Sequence, residues 1–143
     1  MGFFDFLQEI EPYADDHASV KRLNLRHKMI VKPIADQIAG KSVLDLAAHD
    51  GRWAHAFADA GARDVVGIEG RQELVDRYAA YPHPKTKARV TLKVGDIFDG
   101  MEAEIAAGKR YDVLGVLGTF YHIRDHFRPL KLVHRPGPAL ATI

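Results

Sequence analysis

The spacing of apolar residues changes near residue 40, and with it the kind of element the chain predicts. Upstream the pattern is helical. Phe3, Phe4, Phe6, Leu7 and Ile10 make a short apolar patch ahead of Pro12. A longer helix is predicted over residues 20–39, with Leu23, Met29, Ile30, Ile34 and Ile38 on its buried side, Pro33 kinking it and Gly40 ending it. Downstream, short apolar runs alternate with amphipathic stretches. Strands are predicted at residues 42–46, 64–69, 88–94, 111–117 and 138–143. Helices are predicted between them. Trp53, Phe57 and Ala60 point inward from 51–60; Leu74, Val75 and Tyr78 from 72–80, which Pro82 and Pro84 stop; Met101, Ile105 and Ala106 from 97–107. A last helix is predicted at 127–133.

Nearly continuous apolar strands separated by helices imply an α/β fold, a mostly parallel sheet covered on both faces. Right-handed crossovers make such a sheet doubly wound, with its ligand beyond the carboxyl ends of the strands. Those ends carry chemistry. Asp45 closes the first strand and leads into Leu46-Ala47-Ala48-His49-Asp50-Gly51. Glu69-Gly70 follows the second, Asp96-Ile97 the third, and Gly118-Thr119-Phe120-Tyr121-His122 the fourth. Three carboxylates gathered on one rim repel one another unless a ligand or donor sits between them. The alternative is that each acid caps the helix after its strand, which stabilises a helix by about 1 kcal/mol.

Composition narrows the class without naming the ligand. The chain has 143 residues, 47% apolar and 27% charged, which suits one globular domain rather than a disordered or fibrous chain. A net charge of +1 gives no global reason to expect a polyanion. There is no cysteine, hence no disulfide and no thiolate metal site, and a reducing, cytoplasmic setting is expected. No apolar run approaches the roughly 18 residues of a membrane span, and the first ten residues lack the basic start of a signal peptide.

The spacing of the acids addresses the ligand. Glu69 lies 24 residues after Asp45, near the position where a carboxylate receives the two hydroxyls of a ribose. The first loop holds a single glycine, Gly51, beside Asp50, so a phosphate there would lack close backbone donors and meet a negative charge. A ribose and adenine without phosphates fit S-adenosylmethionine. On these residues the chain resembles the class I S-adenosylmethionine-dependent methyltransferases. Residues 43–51, Val-Leu-Asp-Leu-Ala-Ala-His-Asp-Gly, resemble the family's first motif, VLDLGCGTG. Residues 66–69, 95–98 and 111–118 resemble its next three, and 117–122 resembles a post-strand segment ending in Tyr-His.

The resemblance covers about residues 40–143 and implies a Rossmann-like sheet of about five strands, order 3-2-1-4-5, over residues 41–143 behind an N-terminal helical cap over 1–40. It implies that Asp45 and Gly51 hold the amino acid end of S-adenosylmethionine and the tight turn, Glu69 its ribose, and Asp96 and Ile97 its adenine, with Leu117 near the methionine part and Ala47, His49 and Gly70 also among the cofactor-binding residues. Ala47 and His49 stand where the family has glycine. Ala47 is a mild change if its backbone angles allow a Cβ, and His49 is either a group at the cofactor edge or an exposed loop histidine. The family fold has seven strands; this chain stops at the fifth, so a fragment or a shortened form is expected, with self-association through the edge strand 138–143.

Methyl transfer needs a base only if the acceptor must lose a proton. His122 is the candidate base and Tyr121 the candidate orienting group; alternatively His122 begins a helix and Tyr121 packs beneath it. His122 and His126 have the spacing of two metal ligands on a helix, without the Glu of the HExxH pattern, and no metal is expected. Arg124, Arg128, Lys131 and Arg135 make a basic segment, either a solvated face or a contact for RNA. Arg26 either reaches the cofactor carboxylate or stays in solvent. The expected function is methyl transfer to a small molecule, or to RNA, with no membrane partner. The alternatives are a non-catalytic cofactor-binding module and a nicotinamide oxidoreductase.

Overall fold

The computed structural model describes residues 1–117 and the backbone of Leu140–Thr142. The expected helix at 127–133, together with Tyr121, His122, His126 and the basic segment 124–135, lies outside the described residues.

Phe3–Glu9 forms a tight 3-10 turn that sends Phe4 and Leu7 into the core. α1 (His17–Arg26) starts where Asp16 accepts a hydrogen bond from the Ser19 amide. It continues through a wider π turn, His27–Val31, and a 3-10 turn, Lys32–Ile34, into α2 (Ala35–Ile38). Pro33 sits in the 3-10 turn, where its missing N–H interrupts the regular ladder. The buried stripe is Val20, Leu23, His27, Val31 and Ile38. Met29 was expected among them and is instead 67% exposed. It stands six residues from Leu23, about 240° around the helix, and so faces water.

The sheet follows the expected alternation. β1 (Ser42–Leu46) leads to α3 (Arg52–Asp59), β2 (Asp64–Glu69), α4 (Gln72–Arg77), α5 (Pro84–Lys87), β3 (Val90–Val94), α6 (Ile97–Ala106) and β4 (Val113–Gly115). These strands are parallel in the order β3-β2-β1-β4. Leu140–Thr142 lies parallel beside β4, Val113 opposite Leu140. The main differences from expectation are these. Pro84 opens α5, because a helix's first position needs no N–H, so β3 starts at Val90. β4 pairs over Val113–Gly115 only. In α6 the inward residue is Glu104 rather than Ala106, which is exposed. Lys93 at 2.5 Å and the Tyr111 hydroxyl at 2.8 Å compensate that buried carboxylate.

Side-chain alternation splits the core. Val43, Val65 and Val113 face α3 and the N-terminal segment through Phe57, Trp53 and Phe4. Leu44, Leu46, Ile68 and Leu114 face the other way, against Met101 of α6. A sheet buried on both faces explains why β1 has no exposed residue.

Candidate functional site

Beyond Leu46 the chain must turn from β1 into α3 within five residues. It does so with alternate left-handed residues: Ala47, His49 and Gly51 have φ of 57°, 56° and 84°. These are the glycine positions of the motif, and the backbone keeps the glycine geometry although two of the glycines are gone. The condition under which Ala47 would be mild therefore fails. A Cβ in this region costs about 1–2 kcal/mol, least for residues such as His that tolerate it. Gly51 has no such latitude, since a Cβ there would come within 2.6 Å of a Tyr78 ring carbon.

Asp50 was read as facing the ligand, where it would repel an anion. It is instead fully buried. Its Oδ2 accepts from the Tyr13 hydroxyl at 2.5 Å, and its Oδ1 accepts from Arg52 Nε at 2.8 Å. Arg52 also reaches the Tyr13 hydroxyl and lies 2.8 Å from His49 Nδ1. Burial opposes charge on Asp50, but His49, Arg52 and Tyr13 outweigh it and hold the carboxyl far below its ordinary range. The loop is thus tied to the N-terminal segment, and Asp50 supplies no argument against an anion.

Glu69, at the end of β2, turns toward the same loop. Its Oε2 accepts from the His49 amide at 2.8 Å; its Oε1 accepts from Arg71 Nε at 2.9 Å and from the Arg71 amide at 3.2 Å. Burial raises its pKa, and the Arg71 and His49 donors together bring it below the usual value, so it is ionised at neutral pH. Glu69 lines a hollow of about 260 Å³ with Ala47, His49 and Leu117. Arg26 lines it too, its guanidinium 5.1 Å from the Trp53 ring centre. Arg52 and Arg71 complete a rim of three guanidinium groups.

The other strand-end residues lie elsewhere. Asp45 is 1% exposed, on the α3 side of the sheet beside Phe57, and its Oδ2 has no hydrogen-bond partner. Burial pushes its carboxyl up to about 8, the Ala54 amide opposing and the charge of Glu69 adding to it. Asp96 is exposed and caps α6, its Oδ1 accepting from the amides of Phe98 and Asp99. Ile97 packs against the Met101 cluster. Gly70 adjoins Gly95, whose amide bonds the Glu69 carbonyl. Of the three acids expected on one rim, only Glu69 lines the hollow.

The sequence reading missed Tyr13, Arg52, Trp53 and Arg71. Arg52 and Arg71 stand next to Gly51 and two after Glu69, so a search for cations flanking the motifs would have found them. Tyr13 carries no sequence signal; only the fold brings it to Asp50. No group of three metal-ligating side chains occurs among the described residues, and no helix there is long and apolar enough to cross a membrane.

No protein-family model matches the chain. It is 30% identical over 122 residues to the tRNA U34 carboxymethyltransferase of Methylococcus capsulatus, covering 83% of this chain and 36% of that protein. It is 27% identical over 104 residues to the protein of the same name from Campylobacter hominis, covering 71% of this chain and 34% of that one. The chain therefore spans about a third of the length of these relatives. Among solved structures, a Streptococcus mutans protein assigned as an S-adenosylmethionine-dependent methyltransferase superposes with a TM-score of 0.57 at 19% identity, over 78% of this chain and 34% of its own. A second assigned methyltransferase, complexed with SAH, has the same TM-score of 0.57 at 17% identity, over 78% of this chain and 34% of its own. In its motifs, its strand order and its relatives, the chain resembles the class I S-adenosylmethionine-dependent methyltransferases and has their Rossmann-like fold.

Proposed function

We propose that this chain binds S-adenosylmethionine in the hollow and transfers its activated one-carbon group to an acceptor, with RNA favoured over a small molecule. The observation that supports it most is the ionised Glu69 facing a loop that keeps the left-handed glycine geometry. That pairing suits a ribose diol, whose two hydroxyls can donate to one carboxylate. The RNA preference rests on the relatives, which are tRNA-modifying by name.

The residues present fit such a cofactor. Glu69 takes the ribose, and Arg71 shares the same carboxylate from its exposed side. Arg26 offers counter-charge to an amino acid carboxylate. Ala47, His49 and Leu117 line the floor, Gly51 holds the turn behind them, and the adenine is assigned to the neighbouring strand ends at Gly70, Asp96 and Ile97, outside that hollow. Asp45 supports the loop from beneath. Bound there, the cofactor supplies a methyl carbon already activated by its sulfonium. The protein's part is alignment of the acceptor and exclusion of water. Tyr121 orients the acceptor and His122 removes its proton where one must leave. We take Leu140–Thr142 as the fifth strand of the order 3-2-1-4-5, residues 1–40 as a cap and 41–143 as the cofactor domain.

Isothermal calorimetry with S-adenosylmethionine, its demethylated product and NAD tests the reading. The first two are expected to bind and NAD is not. Glu69→Gln is expected to weaken S-adenosylmethionine at least tenfold, about 1.4 kcal/mol, and to lower the melting temperature as well, because the new amide NH2 faces the donors of His49 or Arg71. Equal affinity in the variant removes Glu69 from the ribose. Binding with no transfer to RNA favours the cofactor-binding module.

A further inference from the structure

The outer face of α1 and the π turn takes no part in the hollow, and its composition is one-sided. Residues 17–32 contain no Asp or Glu. Lys21, Leu25, Lys28 and Lys32 recur at spacings of four, three and four, with Arg22 and Met29 beside them, and all six are exposed. Such spacing places them on one stripe, about 16 Å long at 1.5 Å per residue. Among the described residues none of these cations enters an ion pair; Arg22 donates to the Ser19 hydroxyl at 2.8 Å. Like charges at helical spacing repel, and exposed helices ordinarily offset them with acids. Three cations in a row, Lys21, Lys28 and Lys32, with Arg22 beside them, instead match a partner carrying regularly spaced negative charge.

The stripe is also placed to be useful. Arg26, on the same helix, lines the hollow, and a second concavity of about 250 Å³ opens beside Asn24, Leu25, Lys28 and Lys32. We propose that this face docks the sugar–phosphate backbone of RNA, Lys21, Arg22, Lys28 and Lys32 each meeting a phosphate, so that the acceptor approaches the hollow along α1. The proposal rests on the reading of RNA as acceptor. An anionic membrane is the lesser match, because Leu25, Met29 and the adjoining Met1 are scattered among the cations and a membrane-lying helix needs a continuous apolar side.

Fluorescence anisotropy with a labelled synthetic RNA stem-loop tests it. The full chain is titrated at several salt concentrations, beside K21A/R22A/K28A/K32A, the milder K28A/K32A and the control K85A. Each lost phosphate contact lowers the slope of log affinity against log salt by about 0.7–0.9. The quadruple variant is therefore expected to bind at least tenfold more weakly near 0.1 M salt, with a slope smaller by roughly 3, the double variant falling about halfway. K85A is expected to match the wild type. Calorimetry keeps the two readings apart: S-adenosylmethionine affinity is expected to be equal in all four proteins. Absence of that binding in every one overturns the cofactor reading and leaves the surface standing. Wild-type affinity and slope in the quadruple variant, no RNA binding by the wild type, or tighter binding to phosphatidylserine vesicles than to RNA overturns the docking surface.

Discussion

The ends of β1 and β3 look alike in sequence, an acid leading into a helix, yet they are different physical objects. β1 is central, with β2 and β4 on either side, and its end is roofed by α3 and the N-terminal segment. The acids there, Asp45 and Asp50, are taken out of water; one is neutralised by burial and the other held charged by Arg52 and Tyr13. β3 is an edge strand with three of its five residues exposed, and Asp96 stands in water and caps α6. The environment decides an acid's role: covered, it must be paired or protonated; exposed, it bonds the nearest free amides.

The largest effect is expected at the covered end. Asp50→Ala leaves Arg52 buried without its partner and should lower unfolding stability by about 3–5 kcal/mol in urea titration. A loss below about 1 kcal/mol would erase the contrast, that being the scale of an exposed cap. Next comes pH. Folded Asp45 titrates near 8 against an ordinary value of 3.8, so between these values the folded chain holds a proton that the unfolded chain has released. Its contribution therefore declines as pH rises from about 4 to 8 and is level above. The wild type is expected to lose stability relative to Asp45→Asn across that window. His55, whose burial pushes its pKa down to about 4, acts with the opposite sign, costing stability as pH falls from 6.5 toward 4 in both proteins, and so cancels in the comparison. A flat difference between the two proteins would show that Asp45 titrates normally.

Two smaller effects sharpen the contrast. Ala47→Gly should stabilise the chain by about 1 kcal/mol, because glycine adopts the left-handed angles without the Cβ penalty. A destabilised variant would mean the alanine methyl packs well enough to repay its strain. Asp96→Ala should cost about 1 kcal/mol through the lost cap. Calorimetry on the same variant sharpens the adenine assignment. A tenfold loss of S-adenosylmethionine affinity makes Asp96 a cofactor contact as well as a cap, and an unchanged affinity makes it a cap alone.

Much of this molecule was legible along the chain. The run Ser42–Leu46 and the run Asp64–Glu69 were bounded correctly, because a parallel strand covered on both faces reads as a nearly continuous apolar run and here each ends at or beside an acid. Glu69, Ala47, His49, Leu117 and Arg26 were named as candidates, and they share one hollow. Local sequence could not say which way each acid points. Asp45 and Asp50 differ from Asp96 through what the rest of the chain lays over them, and Tyr13, 37 residues away, has no pattern that announces its bond to Asp50. Periodicity and strand-end chemistry are local, so sequence alone determined the alternation of elements and the strand ends at which the hollow lies. Burial and pairing depend on contacts between distant segments, so the tertiary structure alone decided that one acid faces the ligand space, one is held charged in the interior, one is neutral and one is a helix cap.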